Sequence, residues 1–534
     1  MKKALLIHPE FSPYGFWNYK DVCKLVGAKY PAAPLGMITL AALLPQEWNI
    51  RLIDMNTSVL RDSDIGWADL VFIGGMLPQQ VNILKLMNRV HNLGKKVVVG
   101  GPDPTSQPDI YQDADYLVLG EAEDTINRFL QDLDRGVERG AYLPQANKPD
   151  ITKSPIPRFD LLNFKDYIMI GIQFSRGCPF NCEFCDVIEL FGRNPRTKTP
   201  EQIINELDTL YKLGYRGHVD FVDDNFIGHK TKSKEILGAI KRWSEDHDFP
   251  FYFSTEASIN LADDEELLSL MEDIDLRYLF IGIESADENV LKSTRKKQNL
   301  NRKLKDDLYK IYRHGMVVNG GFIIGFDNET SDTARLIVDS INDGKICMSM
   351  IGLLYALPNT QLTRRLSREK RLFENSSLLD RNCRNTIDQA TSGLNFITLR
   401  PRSEIINDYI YILEKIYSRK NYFDNCLKFG KILRNKRKHK PRFIIKLSTL
   451  YSFLKLINKI GIRPSTIYYF WRNILIIMLT RPSSIEEAIN LMAMYIHFRK
   501  QTEYIVRLMN GNLKDIAVRD TEDQHIEFSL SSKN

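Results

Sequence analysis

Three cysteines lie in one short segment and could hold an iron–sulfur cluster. Cys178, Cys182 and Cys185 follow the spacing Cys-x3-Cys-x2-Cys. Closely spaced thiolates are the usual ligands of iron–sulfur clusters. Three thiolates can bind three irons of a cubane and leave the fourth iron open to another ligand. The loop therefore predicts a [4Fe–4S] cluster that takes part in chemistry.

A structural zinc site is the alternative reading of the same loop. Zinc usually takes four protein ligands, commonly as two separated pairs. No second Cys-x-x-Cys and no histidine pair follows the loop, so zinc fits less well. Scattered free cysteines fit a reducing cytosol, and we expect them to be small buried side chains. These are Cys23, Cys347, Cys383 and Cys426.

The first 145 residues alternate short apolar runs with helical segments. Such runs predict a parallel, doubly wound, Rossmann-like sheet, in which ligands lie beyond the carboxyl ends of the strands. Small or polar turns follow several of these runs. The predicted strands are Ala4–Ile7, Asn49–Ile53, Leu70–Ile73, Lys96–Val99 and Tyr116–Leu119.

After a linker at Leu143–Phe159 the alternation starts again. Six strand–helix units predict a partial or full (β/α) barrel, and the cysteine loop follows its first strand. Beyond about residue 395 the pattern is helical. We therefore expect an α/β chain with domains 1–145, 146–395 and 396–534. The predicted barrel strands are Met169–Phe174, His218–Val222, Phe251–Thr255, Tyr278–Ile283, Val317–Ile324 and Met348–Tyr355.

The cysteine spacing and the aromatic Phe184 before the third cysteine resemble the radical S-adenosylmethionine (SAM) superfamily. The resemblance implies a [4Fe–4S] cluster on the three cysteines, whose open iron binds SAM. One electron, from a reductant such as flavodoxin or ferredoxin, would then give a 5′-deoxyadenosyl radical that abstracts a hydrogen atom. The implied SAM contacts are Phe184, Asp223, Asp224, Glu256, Gly282, Glu284 and Ser285.

The first region resembles the cobalamin-binding domain of B12-dependent radical SAM proteins. A generic flavodoxin-like domain is the alternative. The Asp-x-His-x-x-Gly element that supplies a cobalt ligand in other B12 proteins is absent, so we assign no ligand to cobalt. The implied cobalamin contacts are Asp54, Asn56, Gly74, Gly75, Gly100, Gly101, Gly120 and Glu121.

The C-terminal region resembles one subgroup of these B12 radical SAM proteins. Gly393–Phe396, Arg400–Arg402 and Tyr422–Phe423 are similar to the C-terminal domain of uncharacterised B12 radical SAM proteins that include hopanoid 2-methylases. This similarity implies a C-methyltransferase that acts on an unactivated carbon of a small molecule, such as a polycyclic isoprenoid or another lipid. No catalytic side chain is assigned.

A basic block lies in the same region. Asn425–Ile485 contains fourteen Lys or Arg residues and no Asp or Glu. An amphipathic pattern over Phe443–Ile462 and the aromatic run Tyr468–Trp471 fit peripheral docking on an anionic membrane face. A solvated face over an ordinary helical core is the alternative, and nucleic acid is disfavoured because no RNA-binding module is recognised. We expect a cytoplasmic protein, since neither a signal peptide nor a spanning segment is apparent.

Three further functions remain as alternatives. A B12-binding radical SAM enzyme could catalyse ring formation or rearrangement without methyl transfer. A tRNA methylthiotransferase would carry three more cluster cysteines in its first domain, where this chain has only Cys23. A non-catalytic corrinoid-binding sensor would not need the complete cysteine triad.

Overall fold

The structure, a computed structural model, describes residues 1–373, 390–439 and 443–531. Its longer strands form two parallel sheets, and a short antiparallel pair accompanies the second. The strands are β1 (Lys3–His8), β2 (Tyr30–Ala32), β3 (Asn49–Asp54), β4 (Leu70–Gly74), β5 (Lys96–Gly100), β6 (Tyr116–Val118), β7 (Gly140–Tyr142), β8 (Tyr167–Ile172), β9 (Ser175–Arg176), β10 (Arg196–Thr197), β11 (Gly217–Phe221), β12 (Phe251–Ala257), β13 (Leu276–Glu284), β14 (Val317–Ile324) and β15 (Met348–Leu353).

Nineteen α-helices connect and cover these strands in the described ranges. They are α1 (Lys20–Val26), α2 (Leu35–Leu43), α3 (Asp62–Trp67), α4 (Gln80–Asn92), α5 (Pro102–Ser106), α6 (Ala122–Asp134), α7 (Val187–Leu190), α8 (Pro200–Lys212), α9 (Lys230–Asp246), α10 (Glu265–Asp273), α11 (Glu288–Ser293), α12 (Leu304–Arg313), α13 (Thr333–Gly344), α14 (Gln361–Arg368), α15 (Arg402–Ile416), α16 (Arg419–Ile432), α17 (Phe443–Leu456), α18 (Ile467–Thr480) and α19 (Ile485–Ser531).

The first sheet has the strand order β3-β1-β4-β5-β6-β7, and all its pairs are parallel. Successive side chains of a strand point to opposite faces. In β1, Leu5 and Ile7 join the core on one face, whereas Ala4 and Leu6 join the core on the other. Helices cover both faces, which explains the near-continuous apolar runs. The predicted doubly wound domain is confirmed.

The second sheet has the order β15-β14-β13-β12-β11-β8-β2. Its six predicted strands are confirmed, and its two edge strands do not pair with each other, so the described chain forms a partial barrel. The sequence did not predict β2, which pairs with β8 through Tyr30 opposite Tyr167 and Ala32 opposite Met169. The strand has three residues and contains Pro31, which is tolerated at a sheet edge.

Helices α15 to α19 form the predicted helical region. Helix α15 packs against β15 and α13, whereas α17 and α19 pack against α1. The Tyr417 hydroxyl donates to the carbonyl oxygen of Ser349 on β15 at 2.6 Å, and Tyr409 donates to Ile351 at 3.3 Å. Cys23, Cys347 and Cys426 are buried and free, whereas Cys383 lies outside the described residues. In the ranges described, no helix is both long enough and apolar enough to cross a bilayer.

Candidate active site

The cysteine loop leaves the carboxyl end of β8, at the mouth of the partial barrel. Cys182 is buried, while Cys178 and Cys185 are half-buried. Two side-chain amides donate to sulfur: Asn225 Nδ2 lies 3.8 Å from Cys178 Sγ, and Gln298 Nε2 lies 3.8 Å from Cys182 Sγ. Hydrogen bonds to sulfur are among the features by which proteins tune iron–sulfur clusters.

The protonation chemistry of the loop also fits a metal cluster. Burial raises the pKa of all three thiols, so they stay protonated until a metal displaces the protons. In the described chain, no three His, Cys, Asp or Glu side chains converge on a point that one metal ion could occupy. A cubane does not need such convergence, because each thiolate binds a different iron.

A buried lysine lies beside the loop. Lys296 Nζ is 2.7 Å from Glu284 Oε1, and both side chains are largely shielded from solvent. Burial lowers the pKa of Lys296, but Glu284 and the nearby cysteines outweigh this effect and raise it above the usual range. Lys296 therefore stays charged and stabilises thiolates close to it. Burying such a charged pair costs free energy unless other groups compensate for it. Its position beside the loop therefore points to an interaction with the cysteines.

Asp223 and Asp224 both follow β11, yet their surroundings differ. Asp223 accepts hydrogen bonds from the backbone amides of Phe174, at 3.0 Å, and Ser175, so it holds the start of the cysteine loop. Asp224 keeps a buried oxygen, Oδ2, without a hydrogen-bond partner in the structure. Burial raises the pKa of Asp224 to about 6. An unpartnered buried carboxylate oxygen is expensive and can accept from a ligand ammonium group.

Glu256 lies near the carboxyl end of β12 and lines a large cavity. Its side chain is exposed to the cavity but enclosed by protein. Burial, followed by repulsion from Asp224, Asp220, Asp223 and Glu284, raises its pKa to about 8. Several acidic side chains thus compete for few protons at the barrel mouth, which suits a ligand that brings positive charge.

The end of β13 and the residue after it contain three more of the predicted SAM contacts, Gly282, Glu284 and Ser285. The remaining one, Phe184, lies in the cysteine loop. Asn299 Nδ2 donates to the carbonyl oxygens of Gly282, at 3.1 Å, and Ile283, at 2.9 Å. The Ser285 hydroxyl accepts from the amide of Asp287 at 3.1 Å. Hydrogen bonds thus order this segment, although neither Gly282, Glu284 nor Ser285 lines the large cavity.

The cavity has a volume of about 2460 Å³ and lies between the two sheets. A pocket for one drug-sized ligand has roughly 300–1,000 Å³, so this space could hold more than one such ligand. The cavity wall includes six of the predicted cobalamin contacts: Gly74, Gly75, Gly100, Gly101, Gly120 and Glu121.

Two glycines at the end of β5 permit a close approach of backbones. A Cβ atom on Gly100 would lie 2.5 Å from the carbonyl oxygen of Val118. Gly101 has φ of 102°, and a Cβ there would lie 2.9 Å from the carbonyl oxygen of Gly75. Only glycine fits both positions without distortion. Neighbouring backbone segments are therefore closely packed at this part of the cavity wall.

Asp54 and Asn56 do not line the cavity. Asp54 Oδ1 accepts from the backbone amide of Asn56 at 2.9 Å, and Oδ2 accepts from the Tyr167 hydroxyl at 3.0 Å. Asn56 Oδ1 accepts from the backbone amide of Phe11 at 3.0 Å. Both side chains are thus used within the protein, where they fix the segment after β1.

An ion-pair cluster connects the first sheet to the cysteine loop. Arg176, two residues before Cys178, contacts Glu121 at 2.7 Å and Glu123 at 2.8 Å. Arg196 contacts Glu121 at 2.7 Å. Burial raises the pKa of Glu123, but Arg176 and Ser154 outweigh this and hold it at about 2. Glu121 therefore borders the cavity with its carboxylate already paired.

Three residues at the loop were missed as individual predictions: Asn225, Lys296 and Gln298. Asn225 follows the predicted Asp223-Asp224 pair directly and could have been included on that ground. Lys296 and Gln298 belong to a polar run beyond α11, more than a hundred residues from the cysteines. Nothing in their local sequence connects them with sulfur.

A partial barrel with a cysteine loop at its mouth, behind a doubly wound sheet with a glycine-lined edge, defines a radical SAM protein with a corrinoid-type domain. Three family models agree: the B12 binding domain matches residues 25–130, the Radical SAM superfamily matches 172–341, and a domain of unknown function, DUF4070, matches 360–510.

Similar proteins extend this agreement over the whole chain. An uncharacterised methyltransferase of Synechocystis sp. is 41% identical over 99% of this chain and 97% of its own. The hopanoid C-2 methylase of Rhodopseudomonas palustris is 37% identical over 64% of this chain and 66% of its own. The solved structure of the cobalamin-dependent SAM radical enzyme OxsB has a TM-score of 0.57 at 16% identity, covering 98% of this chain and 84% of that one.

The chain belongs to the radical SAM enzymes that carry a B12-binding domain, in the group with the DUF4070 domain. The [4Fe–4S] cluster, SAM and cobalamin are the cofactors of this family, and the predicted fold class, family and cofactors are confirmed. The roles of individual site residues and the domain limits stay predictions.

Proposed function

We propose that this enzyme transfers a methyl group to an unactivated carbon of a small-molecule substrate, and that the substrate is a polycyclic isoprenoid or another lipid. The observation that carries the proposal is the cavity of about 2460 Å³ that opens on both strand-end edges at once. The similarity to a hopanoid methylase supports the substrate class.

We assign the cluster to Cys178, Cys182 and Cys185. For SAM, the partnerless Asp224 Oδ2 and the acidic group around Glu256 would accept the amino group. The ordered Gly282–Ser285 segment at the end of β13 would border the ribose, and Phe184 would close the site from the loop. Asp223 would act by holding the loop through backbone amides rather than by touching SAM.

For cobalamin, the turns at Gly74–Gly75, Gly100–Gly101 and Gly120 would lie against the corrin or its nucleotide tail. Asp54 and Asn56 would shape the neighbouring segment, and Glu121 would fix the distance between corrin domain and cysteine loop through Arg176. The domain limits 1–145, 146–395 and 396–534 belong to the same proposal.

When bound, the cluster and SAM supply a hydrogen-abstracting radical, and cobalamin supplies the methyl group. The protein's own side chains do the rest. Lys296 stabilises the thiolates, and Asn225 and Gln298 donate to sulfur. The apolar cavity wall would hold the substrate carbon between the two cofactors and exclude water. A reductant such as flavodoxin or ferredoxin would supply electrons, and the protein would work at the inner membrane face.

The test is an anaerobic reconstitution with iron, sulfide and cobalamin, followed by incubation with dithionite, trideuteromethyl-labelled SAM and a bacterial lipid extract. We expect 5′-deoxyadenosine and S-adenosylhomocysteine together, and a lipid that has gained the labelled methyl group by mass spectrometry. Deoxyadenosine with an unlabelled, altered product would instead indicate ring formation or rearrangement. No SAM cleavage at all would favour the corrinoid-binding sensor.

A further inference from the structure

Helix α18 has an apolar face that is exposed to solvent. Tyr468, Leu475 and Leu479 are 66%, 60% and 78% exposed, and their spacing places them on one side of the helix. The opposite side, with Phe470 and Ile477, is buried in the C-terminal core. A surface helix normally carries polar residues on its outer face. Packing of the protein core explains the buried apolar face of α18 but not the exposed one.

Helix α17, the preceding helix in the chain, also has exposed apolar side chains. Leu450, Tyr451 and Leu454 are 56%, 61% and 55% exposed. The two helices touch through Phe453 and Phe470, whose ring centroids are 6.4 Å apart. We define the α17–α18 surface as Leu450, Tyr451, Leu454, Ile462, Tyr468, Trp471, Leu475, Met478 and Leu479, all of them exposed.

Positive charges accompany this surface. The Lys455 ammonium lies 4.4 Å from the centre of the Tyr451 ring. Lys459 and Arg463, between the helices, are exposed and form no ion pair with any described residue. Because Asn425–Ile485 contains no acidic residue, nothing within this segment neutralises them. Exposed apolar side chains and cations without an ion-pair partner thus follow one another along residues 450–479.

We propose that the α17–α18 surface docks on an anionic lipid bilayer, with its apolar side chains in the interfacial region and its cations at the phosphate groups. Tyr468 and Trp471 are the residue types that favour this depth. A symmetric contact between two copies would bring the same cations together. The positive charge therefore complements a lipid surface and opposes self-association.

The inner side of α17 explains why docking would serve the enzyme. Ser452, Phe453 and Leu456 line the large cavity, and Val26 at the end of α1 lines it from the neighbouring helix. A lipid that leaves the bilayer beside α17 would enter the cavity without crossing bulk water. This step rests on the proposed lipid substrate, whereas docking itself does not.

The test uses the full-length holoenzyme and vesicles of phosphatidylcholine, alone or mixed with phosphatidylglycerol, in a flotation assay at low and high salt. We expect binding to the mixed vesicles and weaker binding at high salt, because screening removes the charge contribution. The double variant Leu475→Ser/Leu479→Ser should bind about tenfold more weakly. Lys459→Gln/Arg463→Gln should lose about tenfold on mixed vesicles only.

A matched control removes two equally exposed apolar side chains elsewhere. Val59 and Leu399 are 81% and 59% exposed outside the α17–α18 surface. Val59→Ser/Leu399→Ser should bind vesicles as the parent does. All variants should form 5′-deoxyadenosine at the parent rate in detergent, which reports on folding and on the cluster independently of docking.

The proposal would be overturned if the holoenzyme does not float with mixed vesicles, or if Leu475→Ser/Leu479→Ser and the control bind alike. It would also fail if light scattering shows a dimer that the Leu475→Ser/Leu479→Ser substitution dissociates. None of these results bears on methyl transfer. Conversely, vesicle binding without a methylated lipid would contradict the proposed function and leave the docking surface standing.

Discussion

The two strand-end edges that face the cavity are built from opposite kinds of residue. At the first sheet, the edge is glycine turns, and the nearby acidic groups Asp54 and Glu121 are satisfied by protein partners. At the barrel, the edge contains acidic groups that are not satisfied: Glu256 lines the cavity and its pKa is raised to about 8, and Asp224, which is not part of the cavity wall, keeps an unpartnered oxygen.

This contrast suggests how the two edges could bind two different ligands, cobalamin at the glycine edge and SAM at the acidic edge. The glycines of the first-sheet edge have no side chains, so a ligand can come close to their backbone. We expect such an edge to bind a large neutral surface by shape. An edge of buried, unpaired carboxylates is unstable alone and gains most from a ligand with a positive group. Variants at each edge should therefore fail in different assays.

The largest effect is expected at the barrel edge. Cys182→Ala removes one of three cluster thiolates, so the loop cannot hold the cluster and SAM cleavage should fall to background. The visible absorption of the reconstituted cluster and the yield of 5′-deoxyadenosine measure this loss. Cobalamin binding should stay at the parent level. Cys23→Ala, at a buried cysteine of α1, is the control; turnover that survives Cys182→Ala would contradict the cluster assignment.

An intermediate effect is expected at the glycine edge. Gly101→Ala combines a positive φ with a Cβ contact of 2.9 Å, and strain of this kind should weaken cobalamin binding about tenfold. Equilibrium dialysis measures the affinity, and the cluster absorption should be unchanged. Gly66→Ala, where a Cβ atom meets nothing within 4 Å, is the matched control. Equal cobalamin affinity of the two variants would remove the distinction between the edges.

The smallest effect concerns pH. The folded apoprotein holds a proton on Glu256 more tightly than the unfolded chain does, so the stability contributed by this group declines as pH rises from about 4.5 to about 8. Glu256→Gln should raise the Tm at pH 8 by about 1–3 °C and change it little at pH 5. Differential scanning fluorimetry is the measurement, with the exposed Glu47→Gln as control. Parallel pH profiles of parent and variant would contradict the unsatisfied edge.

The sequence predicts the strands well because both sheets are parallel and buried. Runs such as Leu70–Gly74 must be apolar on both faces, and that requirement is visible without the structure. The cysteine spacing is equally local, since one loop contains all three thiols. Glycine turns are readable too, because each follows a strand end.

Side-chain contacts between residues that are far apart in the sequence cannot be predicted in this way. The contact between Lys296 and Glu284 depends on how α11 turns back towards the barrel mouth. Arg176 meets Glu121 across 55 residues of chain. Asp223 and Asp224 are adjacent and chemically identical, yet one holds a loop and the other is left without a partner for one oxygen.

Strand β2 has a consequence for how this protein could be divided. Tyr30–Ala32 belongs to the barrel sheet, although it lies between β1 and β3 of the first sheet in the sequence. In the other direction, the Tyr167 hydroxyl on β8 donates a hydrogen bond to Asp54 of β3. A fragment that starts at residue 146 would expose the edge of β8, and a fragment that ends there would leave β2 without its neighbour. The first-sheet domain and the partial barrel therefore depend on each other structurally. We expect them to fold, and to be expressed, only as a single unit.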